Sequence, residues 1–296
     1  MSTPYGQSLP ATGPTCPRHP DVLTYVACQR CGRPTCPACQ VPAAVGVHCV
    51  DCSAQSRRER PAAVRRAQAA GGTPYVTYGF VALIAVMYVV QQFVPGVTGR
   101  LALVPELAWH QPWRLLTNAL VHHPTFALHL LGNALMIVLL GRVLEPALGH
   151  LRYAVLMLLS ALGGTTAVLW TASPPASVLA GPNDWFTPVV GSSTIAYGLM
   201  CALLVQELRH RGDPRGILTL LALNVGFSFV VPGISWQGHL GGALAGLAAT
   251  WGLTTGARSV RPAWIGLVGS IALVVLGAAI IARYALVPQW WGGLAG

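Results

Sequence analysis

A serine hydroxyl becomes a useful nucleophile only beside a base that takes its proton, and a base is expensive to place where the surrounding sequence is apolar. Ser193 and His239 both occur in apolar stretches, as do His129 and Asn133, which stand four residues apart. Ionisable and amide groups inside such segments are costly, so each is a candidate for function. Ser193 with His239 reads as nucleophile and general base. His129 and Asn133, i and i+4 on one helical face, read as hydrogen-bond donors for a developing oxyanion. The chemistry that needs this set is acyl transfer.

The elements that position these residues are membrane helices. Of the 296 residues, 53% are hydrophobic and only 9% charged, and the mean hydropathy is +0.56, which excludes an ordinary soluble domain and requires a lipid bilayer around most of the chain. Seven apolar runs, each near the ~20 residues that cross hydrocarbon, predict helices at about 76–96, 125–144, 150–172, 189–208, 214–232, 236–255 and 263–286. Lysine is absent, and arginine supplies all 18 basic charges. With the N-terminus in the cytosol, fifteen arginines fall inside and only Arg100, Arg114 and Arg283 outside, a positive-inside pattern. The basicity therefore reports topology and not nucleic-acid binding. Trp109, Trp113, Trp170, Trp185, Trp236, Trp290 and Trp291 gather toward the outer interface. No signal peptide is expected, and the C-terminus is placed outside.

In this topology the second, fourth and sixth predicted helices all start at the outer face. Ser193, His129, Asn133 and His239 then lie four to nine positions inside them, a shared depth of roughly 5–13 Å at ~1.5 Å per residue. The only acidic residues expected on that side, Glu106 and Asp184, are in loops, so a Ser/His dyad is predicted in place of a Ser/His/Asp triad. Tyr197, one turn after Ser193, is placed to stack on the imidazole. The connection at about 97–124 is long and partly apolar, and is expected to be half buried in the interface.

These motifs, in this order, resemble the rhomboid family of intramembrane serine proteases. Trp113-Arg114 resembles the Trp-Arg of the family's long first loop, and His129-x-x-x-Asn133 its oxyanion motif. Gly141-x-x-x-Glu145-x-x-x-Gly149-x-x-Arg152 resembles the turn after the second helix. Gly191-Ser192-Ser193-Thr194 is similar to the nucleophile motif, and His239-x-x-Gly242-x-x-x-Gly246 to the helix of the catalytic histidine. The resemblance implies an all-α polytopic fold: a rhomboid-like six-helix bundle plus one C-terminal transmembrane helix, spanning 76–296. It implies that Ser193 is the nucleophile and His239 the general base and later acid. The Ser193 amide, His129 and Asn133 would be oxyanion donors, with Tyr197 stacked on His239. Substrates would be transmembrane segments of other proteins, and the fifth helix a lateral gate; no cofactor is implied for catalysis. Thr194 stands where the family usually has glycine, which predicts crowding between the fourth and sixth helices. His122 and His123 are assigned at most a structural role in the loop. The rival reading is a catalytically silent rhomboid-like protein that binds membrane clients. A transporter is disfavoured, because the spans show no internal repeat and no buried ion relay.

Seven of the eight cysteines lie within residues 16–52. They pair as Cys16-x-x-His19, Cys28-x-x-Cys31, Cys36-x-x-Cys39 and Cys49-x-x-Cys52, spacing that signals two closed, structural zinc sites. A reducing cytosol argues against disulfides. The alternation resembles B-box-like zinc fingers, which implies that the first and third pairs share one ion and the second and fourth the other. His48 is the second choice for the Cys49 position. The expected layout is a disordered 1–15, the zinc module at 16–52, an Arg/Ala-rich linker at 53–75 and the membrane domain. A bacterial plasma-membrane protein is expected, with a cytosolic protein partner for the zinc module and no nucleic acid.

Overall fold

The computed structural model describes residues 13–43, 45–59, 64, 71–174, 183–231, 233–255 and 261–287. Most of the polar segment 1–15, much of the linker, and Trp290 and Trp291 lie outside them. The chain divides into two compact units, Met1–Arg60 and Pro61–Gly296.

The first unit holds two short hairpins. Strand β1 (Thr15–Cys16) pairs antiparallel with β2 (His19–Leu23), and β3 (Gln40–Pro42) with β4 (Val47–Cys49) in the register Val41 opposite His48. Helix α1 (Val50–Glu59) follows directly from the last strand and carries Cys52, so ordered structure runs past residue 52 into what the sequence suggests is linker. Among the described residues of this unit, the only non-polar side chains that are buried are six cysteines. Val22, Leu23, Tyr25, Val26 and Val45 are all exposed. Such a segment has almost no hydrophobic core of its own.

Among its described residues the second unit is a bundle of seven long helices: α2 (Tyr75–Phe93), α5 (Ala127–Leu148), α6 (His150–Thr171), α7 (Ser193–Arg209), α8 (Arg215–Val230), α9 (Trp236–Thr254) and α10 (Pro262–Ala285). Two short helices, α3 (Val97–Leu101) and α4 (Arg114–Thr117), lie in the first connection. Helices α2, α5, α6 and α10 are each long and apolar enough to cross a membrane. Outward-facing Leu83, Val86, Leu131, Leu135, Leu139, Leu223, Phe227, Val274 and Ile281 are exposed, a surface that suits lipid and not water. The chain is a multi-pass membrane protein.

Helix α6 lies at the centre, packed by α7 and α9. Glycine sets how closely these three approach. A Cβ on Gly246 would sit 2.4 Å from Gly198 Cα, and one on Gly242 would sit 2.2 Å from the Thr194 carbonyl oxygen. Backbone therefore meets backbone where α7 and α9 cross. Thr194 does not hold the helices apart. Its Cγ2 methyl occupies a notch over Gly164 of α6, where an added Cβ would come within 2.4 Å of it.

The first helix is pinned by an acid. Glu145, fully buried near the end of α5, accepts the Val76 and Thr77 amides at 2.8 Å and the Thr77 hydroxyl at 2.6 Å. It also meets His150 Nδ1 at 2.6 Å. The carboxylate thus caps the otherwise unpaired amides at the start of α2. Glu145→Ala strands these donors in a buried site and should cost about 2–4 kcal/mol. Thermal melts in detergent are expected to show a clearly lowered Tm, with Glu145→Gln intermediate; an unchanged Tm would contradict the capping role.

Candidate active site

Helix α7 begins at Ser193 and not at 189. The four residues before it are held out of the helix by long-range hydrogen bonds that hydropathy does not reveal. Leu103 and Val189 exchange both amide–carbonyl bonds, at 2.9 and 2.8 Å. The Gly191 amide donates to the Asn118 carbonyl at 2.9 Å. Ser193 is consequently the first residue of its helix and Ser192 its cap; His129 and Asn133 stand two and six residues past the start of theirs, shallower than sequence suggests, while His239 keeps its expected place three residues past Trp236.

The connection that holds this segment is itself built around a buried arginine. Arg114, only 4% exposed, donates to the Gly99 and Ala102 carbonyls at 2.6 Å and to Gln111 Oε1 at 2.7 Å. Leu103, Val104, Ala108, Ala119 and Val121 are buried around it, so much of the loop is interior. The C-terminal end of α10 braces the same region: Arg283 donates to the Leu169 and Ala172 carbonyls at 2.7 and 2.6 Å. Arg114 and Arg283 thus act as internal ties, and of the three arginines expected outside only Arg100 is exposed.

At the end of this scaffold, Ser193 Oγ lies 2.8 Å from His239 Nε2. Ser235 starts α9 as its N-cap, accepting the Gly238 amide at 3.3 Å, which sets His239 in the first turn. The Tyr197 ring stacks on the imidazole at 4.2 Å and 15°. Further contacts involve Ser228, which sequence reading leaves aside, and His122, to which it assigns at most a structural role. His239 Nδ1 lies 2.8 Å from Ser228 Oγ on α8. His122, fully buried, places Nε2 3.1 Å from Ser192 Oγ and 3.4 Å from the Ser192 amide. An amide only donates, so Nε2 of His122 is the acceptor. Burial pushes this imidazole down to about 3, with His129 adding a like-charge contribution; it stays neutral and acts as a fixed tie on the nucleophile turn.

His129 and Asn133 converge on Gly191. The glycine has φ +121°, and a Cβ there would fall 2.7 Å from His129 Nε2 and 3.9 Å from Asn133 Nδ2. The empty notch is therefore lined by two side-chain nitrogens. His129 Nδ1 accepts the His123 amide at 3.4 Å, which leaves the proton on Nε2, the nitrogen that faces the notch. Asn133 Nδ2 donates to the His129 carbonyl at 2.8 Å, with its second N–H still to give. Such a notch can take a small anionic oxygen.

The cysteine unit has its own geometry. Cys16, His19, Cys36 and Cys39 form one cluster and Cys28, Cys31, Cys49 and Cys52 the other, with ligand atoms in each within 4.8 Å of one another. His19 Nδ1 faces the Cys36, Cys39 and Cys16 sulfurs at 3.3, 3.4 and 4.0 Å, and the Cys31 and Cys49 sulfurs are 3.8 Å apart. Four sulfurs held ~2.3 Å from a tetrahedral centre are about 3.8 Å apart. The same separation is far too long for a disulfide. Both clusters can hold a metal ion, and His48 belongs to neither. Within the first cluster the Cys36 amide draws the Cys16 thiol down to about 6, while burial and the neighbouring Cys16 and Cys36 push Cys39 up to about 11.

Residues 109–256, which contain the whole constellation, match the Rhomboid domain. The chain belongs to the rhomboid family. It is 28% identical over 190 residues to rhomboid protease GluP of Bacillus subtilis, a match covering 60% of this chain and 34% of GluP. It is also 27% identical over 213 residues to the uncharacterized protein Rv1337 of Mycobacterium tuberculosis, covering 64% of this chain and 78% of that one. RHOMBOID-like protein 1 of Arabidopsis thaliana is 28% identical over 144 residues, covering 46% and 33%. The chain thus spans about a third of the length of GluP and of the plant relative.

Proposed function

We propose that this rhomboid is an active intramembrane serine endopeptidase that hydrolyses peptide bonds in or near transmembrane segments of other proteins. The observation that carries the reading is the 2.8 Å approach of Ser193 Oγ to His239 Nε2. In the first step Ser193 Oγ attacks the substrate carbonyl carbon and its proton passes to Nε2. The oxyanion enters the Gly191 notch, facing His129 Nε2, Asn133 Nδ2 and the Ser193 amide. The intermediate collapses, the C–N bond breaks, and the Nε2 proton leaves with the amine. Water then attacks the acyl-Ser193 ester by the same proton route and releases the acid. Tyr197 holds the imidazole plane during both exchanges.

The position of Thr194 supports activity over the silent reading. Its methyl lies toward Gly164 and its hydroxyl is buried, away from the nucleophile, so the departure from the family's glycine leaves the Ser193–His239 approach intact. Arginine asymmetry favours a bacterial plasma membrane with the N-terminal unit in the cytosol and the C-terminus outside. Both cysteine clusters fit zinc: all-sulfur or sulfur–imidazole donor sets at tetrahedral spacing, closed by four protein ligands, which supports a structural role for the metal. A cytosolic protein is the proposed partner of this unit, because Arg18 and Arg33 are committed to Asp51 and make no free basic face.

Two measurements check these proposals. Proteoliposomes carrying the purified protein and a transmembrane reporter are expected to release a cleaved product. Ser193→Ala and His239→Ala should each reduce the rate at least about 1,000-fold; cleavage that persists in either variant would overturn the dyad. Elemental analysis of the full chain should find about two zinc ions per chain, as two four-ligand sites require. Cys49→Ser should lower that number and His48→Ala should leave it unchanged.

A further inference from the structure

Among the described residues no carboxylate stands behind His239, yet its ring is not free to choose a tautomer. Its Nδ1 partner, Ser228 Oγ, has two other neighbours: the Asn224 carbonyl at 2.9 Å and the Tyr197 hydroxyl at 2.7 Å. A serine hydroxyl has one proton to give and two lone pairs to offer. The carbonyl can only accept, so it takes the Ser228 proton. The lone pairs then receive the Tyr197 O–H and the His239 Nδ1–H. No other assignment satisfies all three contacts. It leaves Nε2, the nitrogen 2.8 Å from Ser193 Oγ, unprotonated and ready to act as base.

We propose that Ser228 is the positioning residue of this site, holding His239 in its Nδ1–H tautomer and supporting the imidazolium that forms when Ser193 is deprotonated. The inference rests on the endopeptidase reading above. As the Ser193 O–H bond breaks, its proton goes to Nε2, and the Nδ1–H bond to Ser228 becomes charge-assisted. Ser228 keeps its own proton, bound to the Asn224 carbonyl throughout. A serine that bonds back to the carbonyl four residues before it is common in apolar helices and signals nothing alone. What singles out Ser228 is that donors from two other helices converge on the same oxygen. Of the sixteen residues of α8, only Ile217 and Ser228 are buried. The base is thus oriented from a helix that otherwise faces outward, and its alignment requires α8 to remain docked at Ser228.

The test uses the full-length protein in detergent, with the rate of labelling by a serine-directed fluorophosphonate and kcat and KM on a transmembrane peptide as readouts. Ser228→Thr keeps the hydroxyl, and Ser228→Val replaces it by a methyl at nearly equal volume. That pair decides the matter even if Ser228→Ala fails to fold. Ser228→Val is expected to lose about 10- to 100-fold in labelling rate and kcat, the scale of a hydrogen bond to a charged group, with KM within about twofold of wild type. Ser228→Thr should restore most of the rate. If Val labels as fast as Thr, the hydroxyl has no positioning role and the inference falls, while the Ser193–His239 reading stands. If wild type labels no faster than Ser193→Ala, both fall together.

Discussion

The backbone hydrogen bonds that tie residues 189–192 to the first long connection are the constraint on which the site depends. Val189 pairs with Leu103, Gly191 donates to Asn118, and Ser192 bonds to His122. Without these anchors the chain before α7 would be free to continue the helix, since Val189 and Val190 are apolar residues like those that follow. Ser193 would then be one residue in a lipid-spanning run. The anchors instead make it a helix start, where its amide has no partner within the helix. Extended, non-helical backbone at this place is tolerable because the connection supplies its partners.

The close helix packing follows from the same requirement. For Ser193 and His239 to meet at 2.8 Å from the first turns of two different helices, α7 and α9 must cross with almost nothing between them. Gly198, Gly242 and Gly246 provide that crossing, and Gly164 accommodates the Thr194 methyl. A substitution that widens the crossing would separate Ser193 from His239 without touching either. The energetic cost of placing an imidazole in the bundle is met by full use of its nitrogens: Nδ1 donates to Ser228, Nε2 faces Ser193, and Tyr197 covers one ring face.

Much of this is legible in the sequence, for identifiable reasons. Long apolar runs mark the seven helices, and His129, Asn133, Ser193 and His239 are conspicuous because ionisable and amide groups are rare in such runs. The four Cys/His knuckles declare their chemistry by spacing alone. Other features are hidden because their cause is not local. The start of α7 depends on a partner strand some ninety residues earlier in the chain. Ser228 looks like any small residue in a membrane helix until Tyr197 and His239 are seen to share its oxygen. His122 reads as a loop residue because its contact with Ser192 spans 70 residues. Arg114 and Arg283 count as topology markers in a tally of charges, yet each is spent on buried carbonyls. Residues 53–59 read as linker by composition, yet they continue the helix whose first turn carries Cys52, a member of one of the two clusters that could hold a metal ion.

The chain places Ser193, and not its neighbour Ser192, against His239. Ser192 and Ser193 are adjacent and each meets a histidine, but His122 sits on a fully buried hydroxyl that serves as a tie, whereas the Ser193–His239 pair is partly exposed. The most direct measurement is mass-spectrometric mapping of the fluorophosphonate adduct on the intact, detergent-solubilised protein. A single adduct on Ser193, lost when His239 is replaced by alanine, is the predicted result. An adduct on Ser192, or one on Ser193 that forms equally well without His239, would contradict the account.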